Sequence, residues 1–224
     1  MTDKLNPLIL HAHSTGPNPY KVAIAFEILS IPYIVRLWEF GDDQTKGVRG
    51  KAFLAINENG RLPALEDPNT GVTSWESGAV LNYILRVYDK DNQLGPRGLS
   101  EQDHVDYDKW ILFLLTGLAP MTGQTNWYRH YNPTPNKDAL QRYTAQVYRH
   151  YDVLESQLGK GGGHSIIPGG FCAADVHFYP WVDEYHVAGV SLDGHPKIKK
   201  WYREIAGIKA VKDAYEKVPR GSMG

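Results

Sequence analysis

Leu54-Ala-Ile-Asn-Glu-Asn-Gly-Arg-Leu-Pro-Ala-Leu65, followed shortly by Ser74-Trp-Glu-Ser-Gly-Ala79, decides how this chain folds. Leu62 and the apolar pair Ala64-Leu65 read as a strand over 62–66, yet Pro63 sits inside it. Proline donates no ladder hydrogen bond, so the segment belongs at an edge, and a cis bond before it would turn the backbone outward. The N–H and C=O of Leu62 are then left to pair with an extended peptide. Glu76 and Ser77 precede the apolar-periodic run Ala79, Val80, Leu81, Ile84 and Leu85, so they occupy a helix start. Free N–H groups and the positive end of the helix dipole gather there, which suits a carboxylate. A small anionic peptide fits both features.

Outward from this motif, strand and helix signals alternate through the first third. Residues 8–13 are an apolar-rich run closed by Ser14-Thr-Gly-Pro17, a strand and its loop. Apolar residues at 22, 24, 25, 26, 28 and 29 predict a helix over 20–29 that stops before Pro32. Residues 33–38 are the second strand, and the polar stretch 39–51 is a loop with irregular helix. The strand over 72–75 faces the third strand across the turn 67–71, and a helix follows over 77–88. The order βαβ, loop or helix, ββα predicts a thioredoxin-like domain over 1–88, with a parallel first unit and an antiparallel final hairpin.

Residues 89–101, rich in Asp, Asn, Gly and Pro, read as a linker. Beyond them strand signals nearly vanish. Helices over 102–117, 121–131, 138–158, 173–187, 196–205 and 206–216 predict an all-helical domain over 102–217. Val218-Pro-Arg-Gly-Ser222 has the look of a protease-cleavage linker, with Lys217 where its leading Leu would be, so 218–224 is set aside as a tail.

The charge is nearly balanced, 24 basic residues against 25 acidic, which points away from nucleic acid and anionic membranes as partners. The single cysteine, Cys172, excludes an internal disulfide and a Cys-x-x-Cys redox site, and a reducing compartment is expected. Met1-Thr-Asp-Lys4 has no signal-type apolar segment and no run reaches membrane-span length, so a cytoplasmic protein is expected. The nine histidines include no pair spaced for one helix face, and no metal is expected.

The two opening segments resemble the glutathione-binding half of a glutathione S-transferase, where "NxNGRxPAL" and "WESGAI" are usual. The resemblance extends along the chain. Residues 110–127 are similar to the "WLFFQxSGxxPMxGQxxxF" of a fungal branch that includes a yeast nitrogen-regulatory protein and secondary-metabolite enzymes. Residues 171–181 resemble the core-helix motif "(S/T)xADxxxxPW", with Cys172 replacing its capping hydroxyl. A thiol is a poor acceptor, so the cap is weaker by up to about 1 kcal/mol. Asp175 can still accept from the cap's backbone N–H, and Cys172 reads as a buried structural residue.

The resemblance implies an enzyme that ionises the thiol of bound glutathione for attack on an apolar electrophile, by conjugation or by double-bond isomerisation. It implies a homodimer as well. Leu62 and Pro63 would pair with the cysteinyl backbone, and Glu76 with Ser77 would bind the γ-glutamyl end. Gly16-Pro-Asn-Pro-Tyr-Lys-Val22 is similar to the branch's "(T/A)PNGxKV", which makes Asn18 the first candidate at sulfur, then Thr15, then Ser14. Hydroxyl, amide and first-turn N–H donors all suit a thiolate. Pro19 replaces the usual glycine, and the first strand offers His11 and His13 but no activating tyrosine. Lys51 and Arg61 flank the Asn57 turn and either reach the glycine carboxylate or stay as surface charges. Met121, Trp127 and Tyr128 are wall candidates for the second substrate, expected between the domains, and equally read as helix packing. A regulatory protein of the same fold that binds glutathione with little activity is the alternative; a thiol–disulfide reductase is disfavoured by the cysteine-free loop.

Overall fold

In a computed structural model the described residues are 5–95 and 100–219. The expected leaderless start at residues 1–4, the centre of the linker (96–99) and the tail beyond 219 lie outside them. The described chain divides into two compact units, one formed by residues up to Gln93 together with those from Ile208 onward, the other by Leu94–Gly207.

The first unit is built on a sheet of order β2-β1-β3-β4. Strand β1 (Leu8–Ala12) pairs in parallel with β2 (Tyr33–Leu37), Leu8 opposite Tyr33. It pairs antiparallel with β3 (Ala64–Asp67), which forms a hairpin with β4 (Val72–Trp75). Between β1 and β2 runs helix α1 (Asn18–Ile28), and the short α2 (Lys51–Leu54) precedes β3. Helix α3 (Ser77–Tyr88) follows β4. This is the thioredoxin-like order read from the sequence. Strand β3 differs in one respect: it begins at Ala64 and not at Leu62, because Pro63 has no N–H to give the ladder.

Central β1 is buried on both faces, with Leu8, Leu10 and Ala12 on one side and His11 on the other. Helix α1 is apolar nearly all round, Val22 through Phe26 being fully buried, so it needs covering on more than one side. It packs against α3 and against α9 (Lys209–Lys217). Tyr20 stacks on Tyr215 at 4.1 Å, and Lys217 Nζ meets Glu27 Oε1 at 3.3 Å while lying 3.7 Å over the Tyr33 ring. The sequence reading had placed this last helix in the helical domain; its apolar face is spent on α1 instead. Val218 is also fully buried and donates its N–H to Ala214 O, so the set-aside tail begins inside the fold.

The second unit is helical. Helix α4 (Glu101–Phe113) opens on a Ser100–Asp103 capping box and continues through a π-helical turn (Leu114–Leu118) into α5 (Ala119–Asn126). A second π turn (Trp127–Tyr131) closes α5, where two separate helices were expected. The hydroxyls of Thr116, Thr122 and Thr125 each donate to the carbonyl four residues back, which loosens the local ladder. Helices α6 (Lys137–Lys160), α7 (Ala173–Asp183) and α8 (Pro196–Ala206) complete the unit. Buried Asp175 is their hub. It accepts from Cys172 N–H, as expected, and also from Ile166 N–H, Ser165 Oγ and Trp201 Nε1, all within 3.0 Å. Among the described residues no helix is long and apolar enough to cross a membrane.

Candidate functional site

The β1–α1 loop, the segment before β3 and the start of α3 carry most of the sequence-predicted residues, all within the first unit. Ahead of β3, the buried Asn57 organises the turn. Its Nδ2 donates to Arg61 O, its Oδ1 accepts from Asn59 N–H, and its own carbonyl accepts from Gly60 N–H. Leu62–Pro63 follows as a cis peptide. Leu62 packs with Trp38, Ile56 and Trp75 against a small core of Val48, Phe53 and Ala64. Its backbone N–H and C=O enter no hydrogen bond among the described residues. They remain open for an extended partner. Lys51 and Arg61 are exposed on either side of this turn.

At the start of α3, Glu76 holds φ at +67°, a left-handed backbone that a residue with a side chain adopts only at a cost. It leaves the Glu76 side chain exposed and sends Ser77 inward, where it is buried. Lys21, fully buried in α1, donates from Nζ to Ser77 Oγ at 3.3 Å. That contact ties the starts of α1 and α3 together. The Ser77 oxygen accepts from the lysine, which frees its own proton for an outside acceptor. Burial pulls the Lys21 ammonium down to about 7, with the Glu76 charge opposing. Sequence reasoning saw Lys21 only as part of a motif; an unbroken apolar run around it was the available signal.

In the β1–α1 loop, Ser14, Thr15 and Asn18 are all partly exposed. Asn18 is the first residue of α1 and Pro17 takes the cap position, with Pro19 in the first turn as expected. Thr15 is committed in a way the sequence did not reveal. Both its N–H (3.0 Å) and its Oγ1 (2.9 Å) meet Nδ1 of His13. The His13 ring lies 4.1 Å from that of Phe40. Burial lowers the His13 pKa and the charge of Glu39 opposes this. On the face of β1 opposite Leu8, Leu10 and Ala12, His11 is structural: Trp38 Nε1 donates to its Nδ1 at 2.9 Å and its Nε2 meets Glu66 at 2.7 Å.

The three residues expected to hold a second substrate lie in the helical unit. Met121 is half-buried at α5. Trp127 is half-exposed in the second π turn and stacks on Tyr131 at 6.2 Å, whereas Tyr128 stacks on Tyr143 at 5.6 Å. Trp127 and Tyr131 therefore offer an open aromatic face, while the Tyr128 ring is taken up within the unit. π turns of this kind recur at functional sites.

Residues 6–86 match the family model for the glutathione S-transferase N-terminal domain, and 137–204 that for the C-terminal domain. A glutathione S-transferase-like protein of Aspergillus terreus, gedE, is 34% identical over 209 residues, 88% of this chain and 89% of that one. Protein URE2 of Candida albicans is 30% identical over 240 residues, covering 92% of this chain and 68% of its own. Among solved structures, the glutathione transferase URE2P6 of Phanerochaete chrysosporium, in complex with oxidized glutathione, superimposes with a TM-score of 0.86 at 29% identity. That match covers 97% of this chain and 98% of the other.

Proposed function

This chain belongs to the glutathione S-transferase family, and from that footing we propose that it binds glutathione in its first unit and uses the ionised thiol as a nucleophile. The observation that carries the proposal is the Lys21–Ser77 contact, which joins two helix starts beside the unpaired backbone of Leu62. The cysteinyl backbone of the tripeptide pairs with Leu62 beside Pro63. Its γ-glutamyl end is held by Ser77 Oγ–H, by the N–H groups opening α3 and by the exposed Glu76 carboxylate, which faces the ligand's ammonium. Lys51 and Arg61 serve the glycine carboxylate. The sulfur then lies at the β1–α1 loop, where the Asn18 amide and the first-turn N–H groups stabilise its negative charge, with Ser14 and Thr15 beside it.

An apolar electrophile is taken up at Met121 and Trp127, with the open Trp127–Tyr131 face as its platform and Tyr128, stacked on Tyr143, packing behind it. Conjugation is the basic outcome; isomerisation follows where the adduct collapses after bond rotation. The electrophile is either a biosynthetic intermediate or a compound to be detoxified, and the same site serves both. The protein acts in the cytoplasm as a homodimer, and the exposed Val105 and Leu112 of α4 supply apolar surface for a second copy. The test is titration with glutathione followed by calorimetry and by ultraviolet thiolate absorbance. Asn18→Ala should still bind the tripeptide but lose about a hundredfold in turnover of an activated aryl halide, as when one oxyanion donor is removed. Absence of glutathione uptake by the unaltered protein would refute the reading. Binding without thiolate or turnover would favour a regulatory protein instead.

A further inference from the structure

Nδ1 of His13 stands within hydrogen-bond distance of both the N–H and the hydroxyl of Thr15. A backbone N–H can only donate, so Nδ1 carries the lone pair and the ring's proton sits on Nε2. His13 is thus a neutral base directed at a hydroxyl in the loop assigned to the sulfur. We propose that His13 accepts the thiol proton of glutathione through Thr15, and so acts as a positioning base behind that hydroxyl. This rests on the sulfur lying at the β1–α1 loop, as argued above.

The step balances without a redox partner. The S–H bond breaks and the sulfur keeps its electron pair. Thr15 Oγ1 takes the thiol proton as its own hydroxyl proton passes to Nδ1, leaving a thiolate and an imidazolium. A neutral thiol and a neutral imidazole thus become an ion pair inside the site. Once the conjugate has left, Nδ1 returns its proton through Thr15 Oγ1 to the water that fills the sulfur's place, which restores the tautomer protonated on Nε2.

The surroundings suit both states of the ring. Partial burial keeps it neutral before the tripeptide arrives, which a proton acceptor requires. Glu39 is the charged group that acts on it among the described residues, and it favours the imidazolium. Phe40, in ring contact at 4.1 Å, presents a π face to the same cation. The sequence names His13 only as a residue of the first strand, because its pairing with Thr15 carries no periodic signal.

His13→Gln keeps an acceptor for Thr15 N–H but cannot take up a proton. Its glutathione complex should show the thiol pKa, read from thiolate absorbance against pH, raised by about one unit or more. Affinity for S-methylglutathione, which has no thiol proton, should be unchanged. Thr15→Val should give the same rise, and the double variant no more than either alone. It also stands in should His13→Gln fail to fold. Nitrogen-15 spectra should show His13 becoming protonated on addition of glutathione and not of S-methylglutathione. A thiol titration unchanged in both variants, or shifts that simply add, would overturn the inference and leave the transferase reading standing. Failure of the unaltered protein to bind glutathione would remove both.

Discussion

At Glu76 the demands of folding oppose those of the proposed binding. Its φ of +67° is unfavourable for any residue with a Cβ, yet it is this turn that leaves the carboxylate in solvent and drives Ser77 onto Lys21. Glu76→Gly should therefore stabilise the fold by about 1 kcal/mol while weakening glutathione binding at least tenfold, measured by thermal melting and calorimetry. Strain retained against stability is a mark of use. Lys21 makes a complementary prediction. With its pKa drawn from 10.5 to about 7, the unfolded chain holds a proton across that window that the folded chain lacks. On this account stability should rise with pH from 7 toward 10.5 and be level below 7, where both states hold the proton. Lys21→Met should remove that slope, seen as a difference in urea midpoints between the two proteins that shifts steadily with pH.

Among the elements, those with a strong periodic signature were legible in advance. Strands β1 and β2 and helix α3 follow from apolar spacing, and the edge character around Pro63 follows from its missing N–H. Asp175 was legible too, because a capping carboxylate announces itself three residues beyond the cap. The π turns were not. A shift from one backbone hydrogen-bond register to another leaves no pattern among side chains. Gly117, within the first of them, shows what the register accommodates: a Cβ there would stand 2.6 Å from Nε2 of the buried His150. Gly117→Ala should cost about 1–3 kcal/mol, measured by urea denaturation, because a packed ring has to move. The partner of α9 was equally hidden. An amphipathic helix declares that it has a face to bury but not where. The His13–Thr15 pair escaped for a related reason, since contacts across a loop depend on its exact path.

For the molecule as a whole, the path of the chain matters more than its composition. The first unit is discontinuous: its sheet and α1 come from one end of the sequence and α9 from the other, with Leu94–Gly207 between them. A protein ending at Gly207 should keep a folded helical unit yet lose hydrogen-exchange protection along α1, and melt about 5–10 °C lower. Loss of the buried Val211, Ala214 and Val218, which uncovers Tyr20, is the cause. The same arrangement orders events at the ribosome. The helical unit emerges entire and can close while the earlier-made sheet still waits for its last helix. The proposed hold on the tripeptide is thus complete only once α9 has followed the whole helical unit out. A prematurely terminated chain would carry the binding residues without the scaffold that makes them a site.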